Sequence, residues 1–479
     1  MSAHQHTSVK ARFGSIWPVT LLCLGLISPT FTLAAPAGTS STPKSLETNE
    51  LAALKTEIQQ LKKDYHSRIE ALEKRLSAAE SRLHSQPSTT GMEYAGATAT
   101  NTSSRSANAF NPAISLIMDG RYVDYASRPG TGRLPGFRYH PEYGLDAEGF
   151  NIGESELTMS ANIDDKFYAQ ATIAFGNDNG ETQTEVEEAY IQSTALSHGL
   201  TAKLGRYYSA LGYINEQHPH AWDFADLPLA YSALLGGNLK NEGMQLNWLL
   251  PTDHYWEMGI EMGNGGHFPA AGNHNGLSSQ TAFITSGGDI GISHSWQAGL
   301  SWWHGKSRES LVNNSPWLFS GDTYLNALDV VYKWAPMGNN KEENFKFQFE
   351  YLRSRDSGTL SSDGDQPQPY TAQRQGWYAQ AIWQFRPLWR TGLRYDRVHA
   401  AGQNGESWPE ETNLTSSGHH FSRVSAMLEW IPSEFSRLRL QYNDAISGGY
   451  HLPGQTPFED SKWTFQYTVS MGSHGAHQY

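Results

Sequence analysis

From Trp463 onward the chain alternates by residue type. Trp463, Phe465, Tyr467, Val469 and Met471 take one parity, and Thr464, Gln466, Thr468, Ser470 and Gly472 take the other. Side chains of a strand point to opposite faces in turn, so this segment predicts a strand with one face for lipid and one for a wet lumen. A soluble sandwich strand has the same period, and the case therefore rests on repetition. The sets Phe167/Ala169/Ala171/Ile173/Phe175, Met244/Leu246/Trp248/Leu250, Phe345/Phe347/Phe349/Tyr351, Trp377/Ala379/Ala381/Trp383/Phe385 and Val424/Ala426/Leu428/Trp430 repeat the pattern, each opposite mainly polar partners.

Turn signals divide residues 109–479 into hairpins. Short turns are expected at 162–166, 196–199, 251–254, 293–296, 335–344, 386–389 and 432–436. Longer connections are expected at about 126–148, 176–184, 211–241, 263–280, 306–322, 356–374, 400–420 and 446–461. Seven short and eight long connections require sixteen antiparallel strands. The expected fold is an all-β transmembrane barrel, with short turns and both chain ends on the periplasmic side. The strand at 280–292 carries the weakest pattern, because glycine and threonine dominate it.

A different period precedes the barrel. Leu51, Leu54, Ile58, Leu61 and Tyr65, then Ile69, Leu72, Leu76, Ala79 and Leu83, predict a short α-helical coiled coil over 45–84 with one stutter. Its charges are mixed, as on a solvated face, so a stalk or spacer in the periplasm is expected. Residues 85–108, rich in Ser, Thr, Ala and Gly, read as a flexible linker. Residues 1–37 read as a signal peptide: Lys10 and Arg12, an apolar stretch from Val19 to Leu33, then Ala35 and Ala37 as the small residues before a cut. The one cysteine, Cys23, lies in that apolar stretch, which leaves no thiol or disulfide for the mature chain.

Composition changes the picture little. Mean hydropathy is −0.54 and no stretch reaches the length of a spanning helix, but a barrel needs only alternate apolar residues. The 45 glycines and 12% aromatic residues suit it. Charge matters more: residues 109–479 hold 24 Lys and Arg against 40 Asp and Glu.

Three segments resemble successive strands of the phosphate-selective porin O/P family. They are Glu148-Gly149-Phe150-Asn151-Ile152-Gly153-Glu154-Ser155-Glu156-Leu157, Val186-Glu187-Glu188-Ala189-Tyr190-Ile191, and Lys203-Leu204-Gly205-Arg206-Tyr207-Tyr208 through Gly212. The resemblance implies a sixteen-stranded, trimeric channel of the bacterial outer membrane, in contact with lipopolysaccharide and passing small solutes or ions. Nucleic acid is not an expected partner. An anion filter uses rings of Lys and Arg, whereas this barrel is acidic, so a cation-tolerant diffusion pore is expected in place of phosphate selectivity. The histidine-bearing segment below resembles chains described as zinc-regulated or TonB-dependent outer-membrane receptors. Residues 38–108 hold no plug domain, which argues against plug-gated transport. The alternatives are an uptake channel or receptor for zinc or another divalent metal, and a structural or adhesive stalk-barrel protein.

The third long connection carries the candidate chemistry. In general porins this loop folds inward, and here it reads Asn215-Glu216-Gln217-His218-Pro219-His220-Ala221-Trp222-Asp223-Phe224-Ala225-Asp226. Glu216, His218, His220, Asp223 and Asp226 are the expected lining of a pore constriction. His218 and His220 are candidate ligands for transiently bound Zn²⁺, with no resident cofactor expected. The alternative is that both histidines hydrogen-bond the wall while Trp222 and Phe224 pack on it. His474 and His477 form a weaker pair, since a spacing of three separates them by parity in a strand. Tyr479 reads as the terminal aromatic of outer-membrane barrels. Arg394, Asp396, Arg437, Arg439, Glu257, Glu261, Lys346 and Glu350 fall on the lumen parity, as a transverse field or as solvated pairs. An enzyme is not expected, because no Gly-x-Ser-x-Gly elbow, phosphate loop or His-Glu-x-x-His motif occurs.

Overall fold

Strand follows strand in the order that the alternation demands. In the computed structural model these are β1 (Ala113–Tyr125), β2 (Gly149–Ile152), β3 (Ser155–Asn162), β4 (Phe167–Asp178), β5 (Glu181–Ser193), β6 (Leu200–Tyr208), β7 (Lys240–Leu249), β8 (Tyr255–Gly263), β9 (Ser279–Ile290), β10 (His294–Leu311), β11 (Leu318–Trp334), β12 (Asn344–Ser361), β13 (Gln368–Arg386), β14 (Trp389–Ala400), β15 (His420–Ser433), β16 (Ser436–Ser447) and β17 (Lys462–Gly472). The structure describes residues 112–126, 134–139, 145–178, 181–272, 276–401, 408–415, 418, 420–447 and 460–472. The expected signal peptide, coiled coil and linker, and His474, His477 and Tyr479, lie outside the described residues.

Successive strands pair antiparallel, and β17 returns to β1 with Asp119 opposite Thr468 and Tyr122 opposite Phe465, which closes the sheet. Closure leaves no strand edge unpaired, the condition for backbone to cross lipid. Seventeen segments make sixteen staves, because β2 and β3 both pair with β1 and are parted only by Gly153 and Glu154. At that break the side chains of Asp119 and Arg121 occupy the space a Cβ on Gly153 would need, so any larger residue would have to displace that ion pair. The strand expected at 280–292 is β9.

The long-loop end differs from expectation. β10, β11, β12 and β13 run for 18, 17, 18 and 19 residues, and the expected connection at 176–184 is mostly strand. A tilted spanning strand needs about 9–11 residues, so these four continue past the apolar zone.

All six alternating sets face outward. Trp463, Phe465 and Tyr467 are 44–48% exposed, while their neighbours Lys462, Thr464 and Gln466 are 3% or less. Outward aromatics gather beside the short turns: Trp248, Tyr255, Trp256, Trp296, Trp383, Phe385, Trp430 and Phe435. Trp389 stacks on Trp430 with ring centroids 6.1 Å apart. Amphipathic rings placed at one level form the girdle of a membrane interface. Leu393, 63% exposed near the middle of β14, therefore faces hydrocarbon. Leu393→Arg is expected to cost about 2–4 kcal/mol in urea unfolding of the lipid-embedded barrel. A neutral result there would mean that this face is not lipid-exposed.

The inner face is less polar than the alternation implies. Trp303, Leu325, Ala327, Leu352, Tyr378, Val398 and Phe421 point inward and are buried in one cluster with residues from three long connections. They are apolar because loops, and not water, cover them.

Candidate functional site

The connection from β6 to β7, residues 209–239 and termed L3 below, runs through the lumen from one wall to the other. Its neck is closed by the Ser209 N–H donating to the Leu239 carbonyl at 2.9 Å. Asn215 clamps it further, donating from Nδ2 to the Ser209 and Leu239 carbonyls at 2.7 and 3.0 Å and accepting from the Leu239 N–H at 2.6 Å. A loop inside a barrel leaves its ladder partners behind, so its backbone polar groups must find side chains. The wall supplies them. Glu261 on β8 accepts from the Ala210 N–H at 2.8 Å, and Glu350 on β12 accepts from the Tyr213 and Ile214 N–H groups at 2.9 and 3.1 Å. Asp396 on β14 accepts from the Leu229 N–H at 2.9 Å, and Gln441 on β16 from the Ala225 N–H at 2.7 Å.

Cationic side chains of β14–β16 take the loop carbonyls. Arg394 donates to the Asp226 carbonyl at 2.8 Å, Arg423 to that of Leu227 at 2.8 Å, Arg439 to that of Trp222 at 2.9 Å, and Arg437 to that of His220. L3 then forms a seven-residue helix, α1 (Leu229–Leu235), apolar on nearly every side because it packs against β12, β13 and β14. At the entry, Gly212 holds φ +75°, and a Cβ there would meet the Tyr231 hydroxyl and Glu350 Oε2. Seven of the lumen-parity charges, Arg394, Asp396, Arg437, Arg439, Glu261, Lys346 and Glu350, are thus anchors for L3, whereas Glu257 lines an open cavity.

Between L3 and the short turns lies a cavity of about 1090 Å³. Glu216, His218, His220 and Asp223 line it, together with turn residues such as Ser293, Ala335 and Phe435. Asp226 is not part of that lining. It pairs with Arg394 at 2.7 Å and Arg423 at 2.8 Å, while Asp223 pairs with Lys346 at 2.9 Å and Arg390 at 3.4 Å. Burial opposes ionisation of both, but Lys346 and Arg390 hold the Asp223 carboxyl down at about 2, and Arg423 and Arg394 hold Asp226 lower still. Their charges are spent on anchoring. Glu216 makes no ion pair among the described residues and opens on the cavity. Enclosure by the barrel and the nearby Glu261, Glu257 and Asp329, opposed by Lys203, raise its carboxyl above the ordinary range.

The histidines meet carboxylates that the sequence pattern did not single out. His218 Nδ1 lies 3.0 Å from Glu156 Oε2 and 3.2 Å from Glu187 Oε2, and its Nε2 lies 3.0 Å from Glu188 Oε2. His220 Nδ1 lies 2.8 Å from Glu156 Oε1. Burial alone would make His218 less basic, but the carboxylates of Glu156, Glu187 and Glu188 close around it outweigh this and raise its pKa well above the usual imidazole value. Burial lowers that of His220, with His218 and Arg437 adding to the effect against Glu156. Trp222 and Phe224 are buried on the wall, so cavity lining and wall packing hold together.

Glu187 and Glu188 are adjacent in a strand and should face opposite ways. They do not, because the register of β4 with β5 shifts from Thr172–Glu188 to Ile173–Val186, leaving Glu187 as the extra residue of a bulge. The bulge turns both carboxylates inward, with exposures of 0% and 7%.

The chain is 30% identical over 398 residues to an uncharacterised protein of Aquifex aeolicus (strain VF5), covering 78% of this chain and 81% of that one. The chain belongs to that protein's family. No family model matches it. Among solved structures it is similar to the outer membrane channel DcaP of Acinetobacter baumannii, at 13% identity over 75% of this chain and 96% of that one, with a TM-score of 0.48. It is also similar to OmpF of Salmonella typhi in complex with daunomycin, at 13% identity over 75% and 97%, with a TM-score of 0.48.

Glu187 and Glu188 were within reach of sequence reasoning in one respect. Two neighbouring glutamates inside a strand of clean alternation are themselves the mark of a bulge. Nothing local, however, pairs residue 156 with residue 218.

Proposed function

We propose that the protein is a channel of the bacterial outer membrane through which small hydrophilic solutes and ions diffuse, with L3 as its constriction. The observation that carries this reading is a closed sixteen-stave barrel, apolar outside, whose lumen is narrowed by an anchored loop above an open cavity. Seven carboxylates and four Lys or Arg side chains line that cavity. Asp223 and Glu429 are paired with cations, whereas Glu216, Glu257 and Asp329 form no ion pair among the described residues, which supports a preference for cations. Short turns would face the periplasm, and the heptads at 45–84 would there join barrels into a trimer.

The test is planar-bilayer recording of the purified protein. A steady conductance, small because the lumen is densely packed, with cations more permeant than anions, is the expected result. A folded protein that never conducts would leave the structural or adhesive reading in its place.

A further inference from the structure

We infer that Glu156, His218 and His220 form a binding site for a divalent transition-metal cation of the Zn²⁺ class, built where L3 meets the wall. One ligand atom from each of the three lies within 4.8 Å of the other two. Two imidazoles and a carboxylate are the donor set of a borderline cation such as Zn²⁺ and a poor one for Mg²⁺, which demands oxygen ligands.

Three features beyond that proximity point to a ligand. First, the two oxygens of a single carboxylate each face one imidazole, Oε1 toward His220 and Oε2 toward His218, so the three groups converge on a common space. Second, Glu156 is 1% exposed, and its Oε2 makes no well-aligned hydrogen bond although His218 stands 3.0 Å away. A buried carboxylate oxygen left in that state calls for a stronger partner. Third, the supporting shell is in place. Glu187 and Glu188, turned inward by the bulge, flank His218; the Tyr208 hydroxyl donates to Glu187, and Gln170 Nε2 donates to Glu188 Oε2 at 3.0 Å. Partners of this kind fix the orientation of metal-binding imidazoles.

Access comes from the cavity. His218 and His220 keep 18% and 11% of their side-chain surface and both line it. His218, in extended backbone, immediately precedes the 3₁₀ turn Pro219–Ala221 that contains His220, and the two rings lie 5.6 Å apart and 23° from parallel. Wall and loop each contribute ligands, so an ion would cross-link L3 to β3 and hold the constriction in one position. The effect on current rests on the channel reading above; binding itself does not.

The experiment is calorimetric titration of Zn²⁺ into the full-length, detergent-folded protein, with Mg²⁺ as the comparison ion. About one Zn²⁺ per subunit is expected, with no heat from Mg²⁺. His220→Gln and, separately, Glu156→Gln should each weaken Zn²⁺ at least about 10–100-fold, the range found for removing even supporting partners. Circular dichroism and heat-modified gel mobility report whether each variant barrel has folded; if Glu156→Gln fails there, His220→Gln decides alone. Wild-type protein that binds no Zn²⁺, or a folded His220→Gln that binds it as tightly as wild type, overturns the inference. Bilayer recording separates the two readings. Binding without any conductance removes the channel and leaves the metal site, and conductance without binding does the reverse.

Discussion

Excising residues 211–238 and joining Ala210 to Leu239 through two glycines is expected to raise single-channel conductance several-fold. The ends are already together, since the Ser209 N–H donates to the Leu239 carbonyl at 2.9 Å. The barrel wall does not depend on L3 for its ladder, because β6 pairs with β7 from Leu200–Trp248 to Tyr208–Lys240 without it. What the excision removes is the lumen filling: α1 with Leu229, Tyr231 and Leu234, and the Trp222 side chain, all buried against the inner wall. Asp396, Glu350 and the arginines of β14–β16 are left facing water, where charges are well solvated and repel little at ordinary salt. Bilayer recording of the refolded variant checks it. A folded variant that conducts as wild type would show that current does not pass L3.

How much of this could be read from the sequence depends on the range of the signal. The outward face could be read residue by residue, because a strand's alternation is local and lipid imposes it everywhere outside: Trp377, Ala379, Ala381, Trp383 and Phe385 all face out. The stave count followed, since short turns are marked by local residue types. The inner face could not be read the same way. Leu325, Leu352 and Val398 look like breaks in a polar stripe until L3 is known to cover them. The path of L3 is set by contacts such as Leu229 with Asp396 and Ala225 with Gln441, far apart in sequence and invisible to periodicity. The loop's place in the barrel predicts inward folding, but nothing in its own sequence separates one acid from another. Asp223 and Asp226 turned out to be anchors because cations on β12, β14 and β15 stand opposite them.

That division can be tested by separating charge from anchorage. Glu216→Gln with Glu257→Gln removes two carboxylates that face the cavity without an ion pair among the described residues. A unit charge about 5 Å from a permeating ion is worth ~0.8 kcal/mol even at the dielectric of bulk water, so at about pH 8 the cation-to-anion permeability ratio should fall at least about fourfold. The wall around L3 should be undisturbed, and unfolding should shift little. Asp226→Asn acts elsewhere. It leaves Arg394 and Arg423, both nearly fully buried, without the carboxylate at 2.7 and 2.8 Å; Asp396 and Asp460 still pair with them, so the cost should stay below the about 3–5 kcal/mol of a buried charge with no partner left. The expected outcome is a barrel that unfolds at lower urea and a current that flickers between levels as L3 detaches. If Asp226→Asn instead lowers the permeability ratio as far as the double variant does, with no loss of stability and no flicker, then Asp226 faces the permeating ions, and its pairing with the two arginines does not hold in the membrane.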